Sequence, residues 1–418
     1  MDLFMKIIRQ GKKTTYIVSC ILIFFSSFHA VGKGMDISAL NTNLAEQGVG
    51  LEFAGAFRVN LKAEGDSRSA YAQGTFALSE DSRTFYMVGH VRHQAIAQYA
   101  IPKIVKSQNI KDLKITNSAI QPYTKVLHRA QTGNKQNLNR ITGLKMIEGE
   151  LFLNAVEYYD ANTNATNTTA VIRDPNNLSK SKVDGFFELN GAAHSAGWIS
   201  KLPKEWKKKL DATYLTGFAN NYPIVTRSSI GPSAFVYYLD NIAQTDLKKG
   251  LIPSTPILDY SMDFPLHKRD KNNLWTDVSQ AMYGFVIPDT DFYLVIGQSG
   301  GHESGIGYKI TQNTGRLCGG PCPHDQYDVY HYYWIWDMND LLKVKQNKLK
   351  PHHPKPIHYG EITLPFQPTR GIYEIAGANF DEKQNKLYML ISSADRLQSK
   401  YEGAPVMAVF DLINLTKQ

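Results

Sequence analysis

Cysteine is scarce, with three residues in a chain of 418, so a disulfide framework cannot organise the fold. Charged residues are only 20% of the chain and hydrophobic residues 43%. That balance excludes a disordered or collagen-like protein and leaves enough apolar mass for a large core. Beyond Phe28 no apolar run is long enough to cross a bilayer. Phosphate loops, dinucleotide fingerprints and nucleic-acid motifs are missing. Strongly helical stretches are few. What the chain has is tyrosine, 23 against 19 phenylalanines, together with 31 glycines. This composition points to an all-β protein with many turns.

The amino terminus reads as an export signal. Lys6, Arg9, Lys12 and Lys13 precede an almost unbroken apolar segment from Tyr16 to Phe28. Ala30-Val31-Gly32 then places small residues where a signal peptidase cuts, so residues 1–32 are expected to leave and the mature chain to begin near Lys33. An uncleaved anchor is the alternative; acylation at Cys20 fits poorly because the apolar run continues past it. The formal net charge of +8 then falls to about +5, too diffuse to argue for a nucleic-acid partner. The expectation is a secreted or periplasmic monomer with no membrane span in the mature chain. With Cys20 gone, Cys318 and Cys322 remain, and export favours a local disulfide between them. A metal site with His324 and His331 is the other reading, although the spacing is not a familiar zinc pattern.

Comparing the chain with itself reveals a repeated unit. A strand, a polar turn and a second strand recur over Gly74–His90, Gly143–Glu157, Gly284–Gln298 and Gly377–Ser392. The turns Glu80-Asp81-Ser82, Glu148-Gly149, Pro288-Asp289-Thr290 and Asp381-Glu382-Lys383 are tight-hairpin chemistry. A third strand follows at Gln94–Ile104, Thr168–Leu178, Tyr332–Leu342 and Val406–Leu415, with a fifth copy at Ser233–Ile242. In that fifth copy an insertion around residues 193–227 disguises the first two strands. Antiparallel units of this kind fit propeller blades, whose radial closure removes exposed edges. Leu51–Val59 is a spare strand suited to completing the last blade. The reading is one five-bladed β-propeller over residues 33–418, with six or seven blades if the long step between residues 233 and 332 hides another. Residues 203–215 suggest a short surface helix with a solvated lysine face.

In a propeller the loop from second to third strand and the lead-in to each innermost strand open on one face. Here those segments carry His90, Arg92, His93, Tyr158, Tyr159, Asp160, His302, Glu303, Asp395 and Arg396, and Tyr71, Arg140, His194, Asp277, Gln280 and Glu374. Arg227 falls in the inserted third unit. Three chemistries could use such a mouth. β-Elimination on a uronic-acid polysaccharide needs a cation against the carboxylate, a base and an acid: Arg92, Arg140 or Arg227 as cation, His90, His194 or His302 as base, Tyr158 or Tyr159 as acid. Glycoside hydrolysis needs two carboxylates, for which Glu157, Asp160, Glu303, Glu374 and Asp395 are available. Plain glycan binding needs only aromatic stacking and Arg against acidic groups.

Calcium is the one cofactor the sequence leaves open. Asp160, Asn162 and Asn164 alternate as in calcium loops, without the glycine and closing glutamate of an EF-hand. His352, His353 and His358 sit in proline-stiffened chain that reads as surface. Gly301–Gly305 lacks the serine placement of a nucleophile elbow and the spacing of a zinc-protease helix.

The runs GTFALSEDSRTFYMVGH, GWISKLPKEW, TRSSIGPSAFVYYLD, YYWIWDMNDLLKVK and IAGANFDEKQNKLYML resemble a group of exported bacterial proteins of uncharacterised function, which offers no activity to carry over. By residue type alone the mouth is also similar to propeller-type polysaccharide lyases, the ulvan lyases. That resemblance implies roles for His90, for Tyr158 or Tyr159, and for Arg173, although those lyases have seven blades.

Overall fold

The computed structural model describes residues 34–160, 164–219, 231–238, 250–267 and 271–417. The segment expected to be an export signal and Arg227 lie outside them. The described chain is all-β, a five-bladed propeller with three short helices. Blade 1 comprises Phe76–Leu78, Thr84–Val88, Ala95–Ala100 and Gln121–Lys125. Blade 2 comprises Arg140–Ile147, Glu150–Val156, Thr169–Ile172 and Val183–Leu189, extended by Leu251–Ile252 pairing parallel to its outer edge. Blade 3 is Trp198–Lys201, Tyr214–Gly217, Ala234–Tyr237 and Ser254–Leu258. Blade 4 is Gln280–Val286, Phe292–Gly300, Val329–Asp337 and His358–Ile362. Blade 5 takes its three inner strands from Ile375–Asp381, Lys386–Asp395 and Ala404–Asn414, and its outer strand from Val49–Arg58.

The spare strand therefore closes the ring, running antiparallel to Ala404–Asn414 from Val49↔Asn414 to Arg58↔Val406. At the closure, Arg58 grips Asp395 with two nitrogens, Nε at 2.7 Å and Nη2 at 3.1 Å. The Asp395 side chain has no solvent exposure. A buried bidentate pair of this kind resists separation because either partner alone would be an uncompensated buried charge.

Blade packing follows from the strand patterns. The second and third strands carry large rings such as Tyr86, Tyr293, Trp334, Trp336 and Tyr388, all essentially inaccessible. Each removes 150–250 Å² from water, roughly, and accounts for the aromatic share of the composition. The tryptophans' polar ends are satisfied: Trp334 Nε1 donates to Leu274 O at 2.7 Å and Trp336 Nε1 to Tyr260 OH at 3.1 Å. The first strands instead approach one another around the axis. A Cβ on Gly143 of blade 2 would fall 1.9 Å from Gly197 O at the start of blade 3, and one on Gly377 of blade 5 would fall 2.4 Å from Gly74 O at the start of blade 1. Only hydrogen fits there, so these glycines set how tightly the blades converge.

The disguised third unit proves to be short strands separated by a helix. Residues 204–210 form that helix, with Trp206 and Leu210 buried beneath it, while Tyr214–Gly217 is already strand. A longer helix, Met338–Lys345, is capped by the Asp337 carboxylate accepting from Asn339 N at 2.8 Å. It lies on the outer strand of blade 3, where Lys345 Nζ reaches Thr255 Oγ1 at 3.3 Å. No helix among the described residues is long and apolar enough to cross a membrane.

Candidate functional site

The innermost strands repeat one irregularity. A bulge separates Ile141 from Gly143, Ala281 from Tyr283 and Ile375 from Gly377. Thr142, Met282 and Ala376, the residues inserted at these bulges, line a narrow axial cavity of about 30 Å³. Two residues earlier, at the entry to the same inner strands, stand Arg140, Gln280 and Glu374. A cation, an amide and a carboxyl therefore occupy one level of the mouth. Glu374 is exposed, yet the protein surrounding it excludes enough water to push its carboxyl above the ordinary value.

Amides complete this level. Gln298 Nε2 donates to Gln280 Oε1 at 3.0 Å, leaving Gln298 Oε1 buried with no partner among the described residues. Gln94 accepts from Ile141 N at 2.6 Å, tying blade 1 to the inner strand of blade 2. The Arg140 guanidinium lies 4.6 Å from the Tyr158 ring centroid, and its Nε is also buried with no partner among the described residues.

The four histidine and arginine positions near blade 1 cluster. His90 stacks on His93 at 4.5 Å and meets the Tyr71 ring edge-on at 5.8 Å. His90 Nδ1 accepts from Arg92 N at 3.1 Å. The neutral ring therefore carries its proton on Nε2 and presents a donor to solvent. Partial burial first, then His93, Arg68 and Arg92, hold its pKa below the usual histidine value. Arg68 bridges to Glu402 in the blade 5 loop at 2.8 Å, joining this cluster to its neighbour.

Other candidates lie apart from it. His194 is buried on the 3-10 turn Ala192–Ser195, where its Nδ1–H donates to Asp259 Oδ1 at 2.5 Å. Nε2 is thereby left as the acceptor, the opposite tautomer to His90. His302 is buried between Tyr330 and Tyr332, with ring centroids at 5.0 and 5.1 Å. Ser299 Oγ hydrogen-bonds its Nε2 at 2.7 Å, and burial holds the ring below its ordinary pKa. Tyr159 and Glu303 are exposed, as are Arg92 and His93. Asp395 belongs to the ring closure through Arg58, and its oxygens also accept from Leu397 N at 2.9 Å and Gln398 Nε2 at 2.7 Å. Arg173 sits at the exit of a third strand, on the opposite face from the mouth. Glu150 holds it at 2.8 Å and Asp184 at 2.7 Å, so the structure does not bring it to His90 or Tyr158.

Asp160 is buried, and its two oxygens accept from Asn164 N at 3.0 Å and Ala165 N at 3.1 Å. These bonds shape the loop; Asn162 lies outside the described residues. Cys318 and Cys322 form the expected disulfide, which closes the turn leading into the small sheet Ile306–Tyr308 and Pro321–Pro323. A disulfide is compatible with an extracellular protein. His358, far from the mouth, contacts Glu46 at 3.0 Å.

The feature that sequence reasoning missed is a set of cation–aromatic pairs. Besides Arg140 with Tyr158, Lys309 lies 5.4 Å from the Tyr308 ring, Arg370 5.2 Å from Tyr327, Arg396 5.8 Å from Tyr373 and Lys400 5.7 Å from Tyr401. All ten residues belong to second-to-third connections or inner-strand lead-ins, the segments that open on the mouth face. Tyr308 and Tyr401 are 68% and 80% exposed, so their ring faces are available to a ligand. The signal was local: Tyr308-Lys309 and Lys400-Tyr401 are adjacent in turn-rich sequence.

No family model and no curated protein matches the chain. Solved structures similar to it include hydrazine synthase of Kuenenia stuttgartiensis, 10% identical with TM-score 0.33 over 79% of this chain and 77% of that one. A putative glucose dehydrogenase from Thermus thermophilus is 10% identical with TM-score 0.34, over 88% of this chain and 100% of that one. An α-L-arabinanase of Cellvibrio cellulosa in complex with arabinohexaose is 10% identical with TM-score 0.36, over 81% of this chain and 91% of that one.

Proposed function

We propose that the mouth face binds an acidic glycan in an exported, monomeric propeller. The observation that carries this reading is the concentration on that face of five of the seven cation–aromatic pairs among the described residues; Lys209 with Trp206 and Lys355 with Tyr260 lie in other segments. Tyrosine faces suit sugar rings, and the paired cations suit carboxylate or sulfate groups. Each exposed cation–aromatic contact is worth only about 0.5–1 kcal/mol, so useful affinity requires several subsites engaged along one chain. Calorimetric titration with uronate-rich and neutral polysaccharides at low and high salt tests it. Acidic glycans should bind more tightly, weaken with salt, and weaken further in Arg396→Ala and Arg370→Ala. Equal binding of neutral glycans, or indifference to both substitutions, would sink the proposal.

β-Elimination at the same face is the second reading, favoured by His194, whose Asp259 partner leaves Nε2 as a proton acceptor. His90 suits the opposite role, donating a hydrogen bond to a substrate group. Unsaturated-product absorbance on ulvan, pectin, alginate or glycosaminoglycans, lost in His194→Ala, would support elimination; silence on all four leaves binding alone. Hydrolysis finds less support. Glu374 could serve as the acid, but the matching positions in blades 2 and 4 are Arg140 and Gln280 and supply no second carboxylate.

A further inference from the structure

The hairpin face, opposite the mouth, carries a second cavity. Its volume is about 340 Å³, against about 30 Å³ for the axial cavity. The two follow one another along the same strands: residues 142–144 line the first and 145–148 the second, and 376–378 give way to 379–383. The tight turns of blades 1, 2 and 5 thus build its walls, together with Lys201, Lys207 and Tyr214 of blade 3. Its size is that of a small-molecule site.

Its chemistry is distinctive. Four lysines (Lys145, Lys201, Lys207 and Lys383) face four carboxylates (Glu80, Glu148, Asp381 and Glu382). Part of this set is internally fixed. Lys145, buried with its stem against the core, bonds Glu382 at 2.8 Å and Phe380 O at 3.3 Å. Asp381 accepts from Ser82 Oγ at 2.5 Å and from Lys383 N at 2.9 Å. Lys383 Nζ spends itself on the Glu80 carbonyl at 2.6 Å. Lys201 and Glu148 are exposed and have no ion-pair partner among the described residues. An ion of either sign would gain an attraction here and meet an equal repulsion. Sugar or polyol hydroxyls each donate and accept, so they can bond carboxylates and lysines together without upsetting the balance.

We infer that this cavity is a binding site for an uncharged polyhydroxylated ligand, a neutral sugar residue or polyol, with its preference for neutrality set by the matched charges. The site is separate from the mouth, and its existence does not depend on the acidic-glycan reading. The test is calorimetric titration of the full chain with a methyl hexoside, a neutral trisaccharide, myo-inositol, glucuronate and glucosamine. The neutral ligands should saturate a site that Arg396→Ala leaves untouched. A trisaccharide that binds at least as well as the methyl hexoside identifies a chain end as the ligand, and a much weaker one identifies a free sugar. Lys201→Met leaves the lining with excess negative charge and should move the preference several-fold towards glucosamine. Glu148→Gln should move it towards glucuronate; both side chains are exposed, so neither change threatens folding. No saturable binding of any neutral ligand, or a charge preference that neither substitution moves, overturns the inference.

Discussion

Replacing Asp395 by Asn separates two possible roles for this residue, ligand contact or ring closure. Asp395 receives four donors: Arg58 Nε and Nη2, Leu397 N and Gln398 Nε2. Asn keeps the shape but offers one acceptor oxygen in place of two, turns an NH₂ towards donors, and leaves the Arg58 charge uncompensated. Removing one partner of a buried ion pair costs about 3–5 kcal/mol, a large part of the roughly 5–15 kcal/mol that holds a domain folded. Urea unfolding followed by tryptophan fluorescence should show that loss as a lower midpoint. A cycle with Arg58→Met and the double variant Arg58→Met/Asp395→Leu isolates the pair. The double variant should recover most of the deficit, because neither charge then remains stranded. Glycan affinity of the folded fraction should not change. A deficit below about 1 kcal/mol, the range of an exposed pair, would refute the closure argument. Lost glycan affinity at unchanged stability would return Asp395 to the binding surface.

Gly143→Ala places a methyl group 1.9 Å from Gly197 O, so the inner strands must part; thermal unfolding should reveal a penalty of about 1–3 kcal/mol or more. Glu374 is held protonated above the ordinary value of 4.5. Over the interval from there to its raised pKa the folded chain keeps a proton that the unfolded chain has released, so stability falls as pH rises through it. Glu374→Gln should flatten that part of a stability–pH profile, and an unchanged profile would contradict the raised value. Reducing the Cys318–Cys322 bond should lower stability by at most about 2 kcal/mol, since the loop it closes is very short. Limited proteolysis should instead show new cuts near residues 306–323, and a large drop in melting temperature would show that the bond holds more than its loop.

Most of the blade plan was readable along the chain. Hairpin turns such as Glu148-Gly149 and apolar alternation in Glu150–Val156 are local patterns, and local patterns repeat wherever the unit repeats. Apart from the ring-closing strand Val49–Arg58, the fourth strands were not readable. Gln121–Lys125 and His358–Ile362 lie at the rim with mostly exposed or half-exposed side chains, so burial imposes little pattern on them. The third blade hid for a related reason, since four-residue strands such as Trp198–Lys201 are too short to establish a period.

The candidate site divides the same way. Sequence placed His90, Arg140 and Glu374 in segments that open on one face, because strand order alone dictates which loops share a side. It also marked Cys318 and Cys322 as a local pair. Which residues are free to meet a ligand depended on contacts between residues 65 and 337 positions apart. Asp395 is claimed by Arg58 and His194 by Asp259, and neither partner is adjacent in the chain. Turn residues that looked ordinary, from Glu80 to Lys383, line the larger cavity because three blades bring their hairpins together. Sequence by itself determined the repeating unit, which is a property of neighbouring residues. Tertiary structure decided the charge each polar group meets, which is a property of the closed ring.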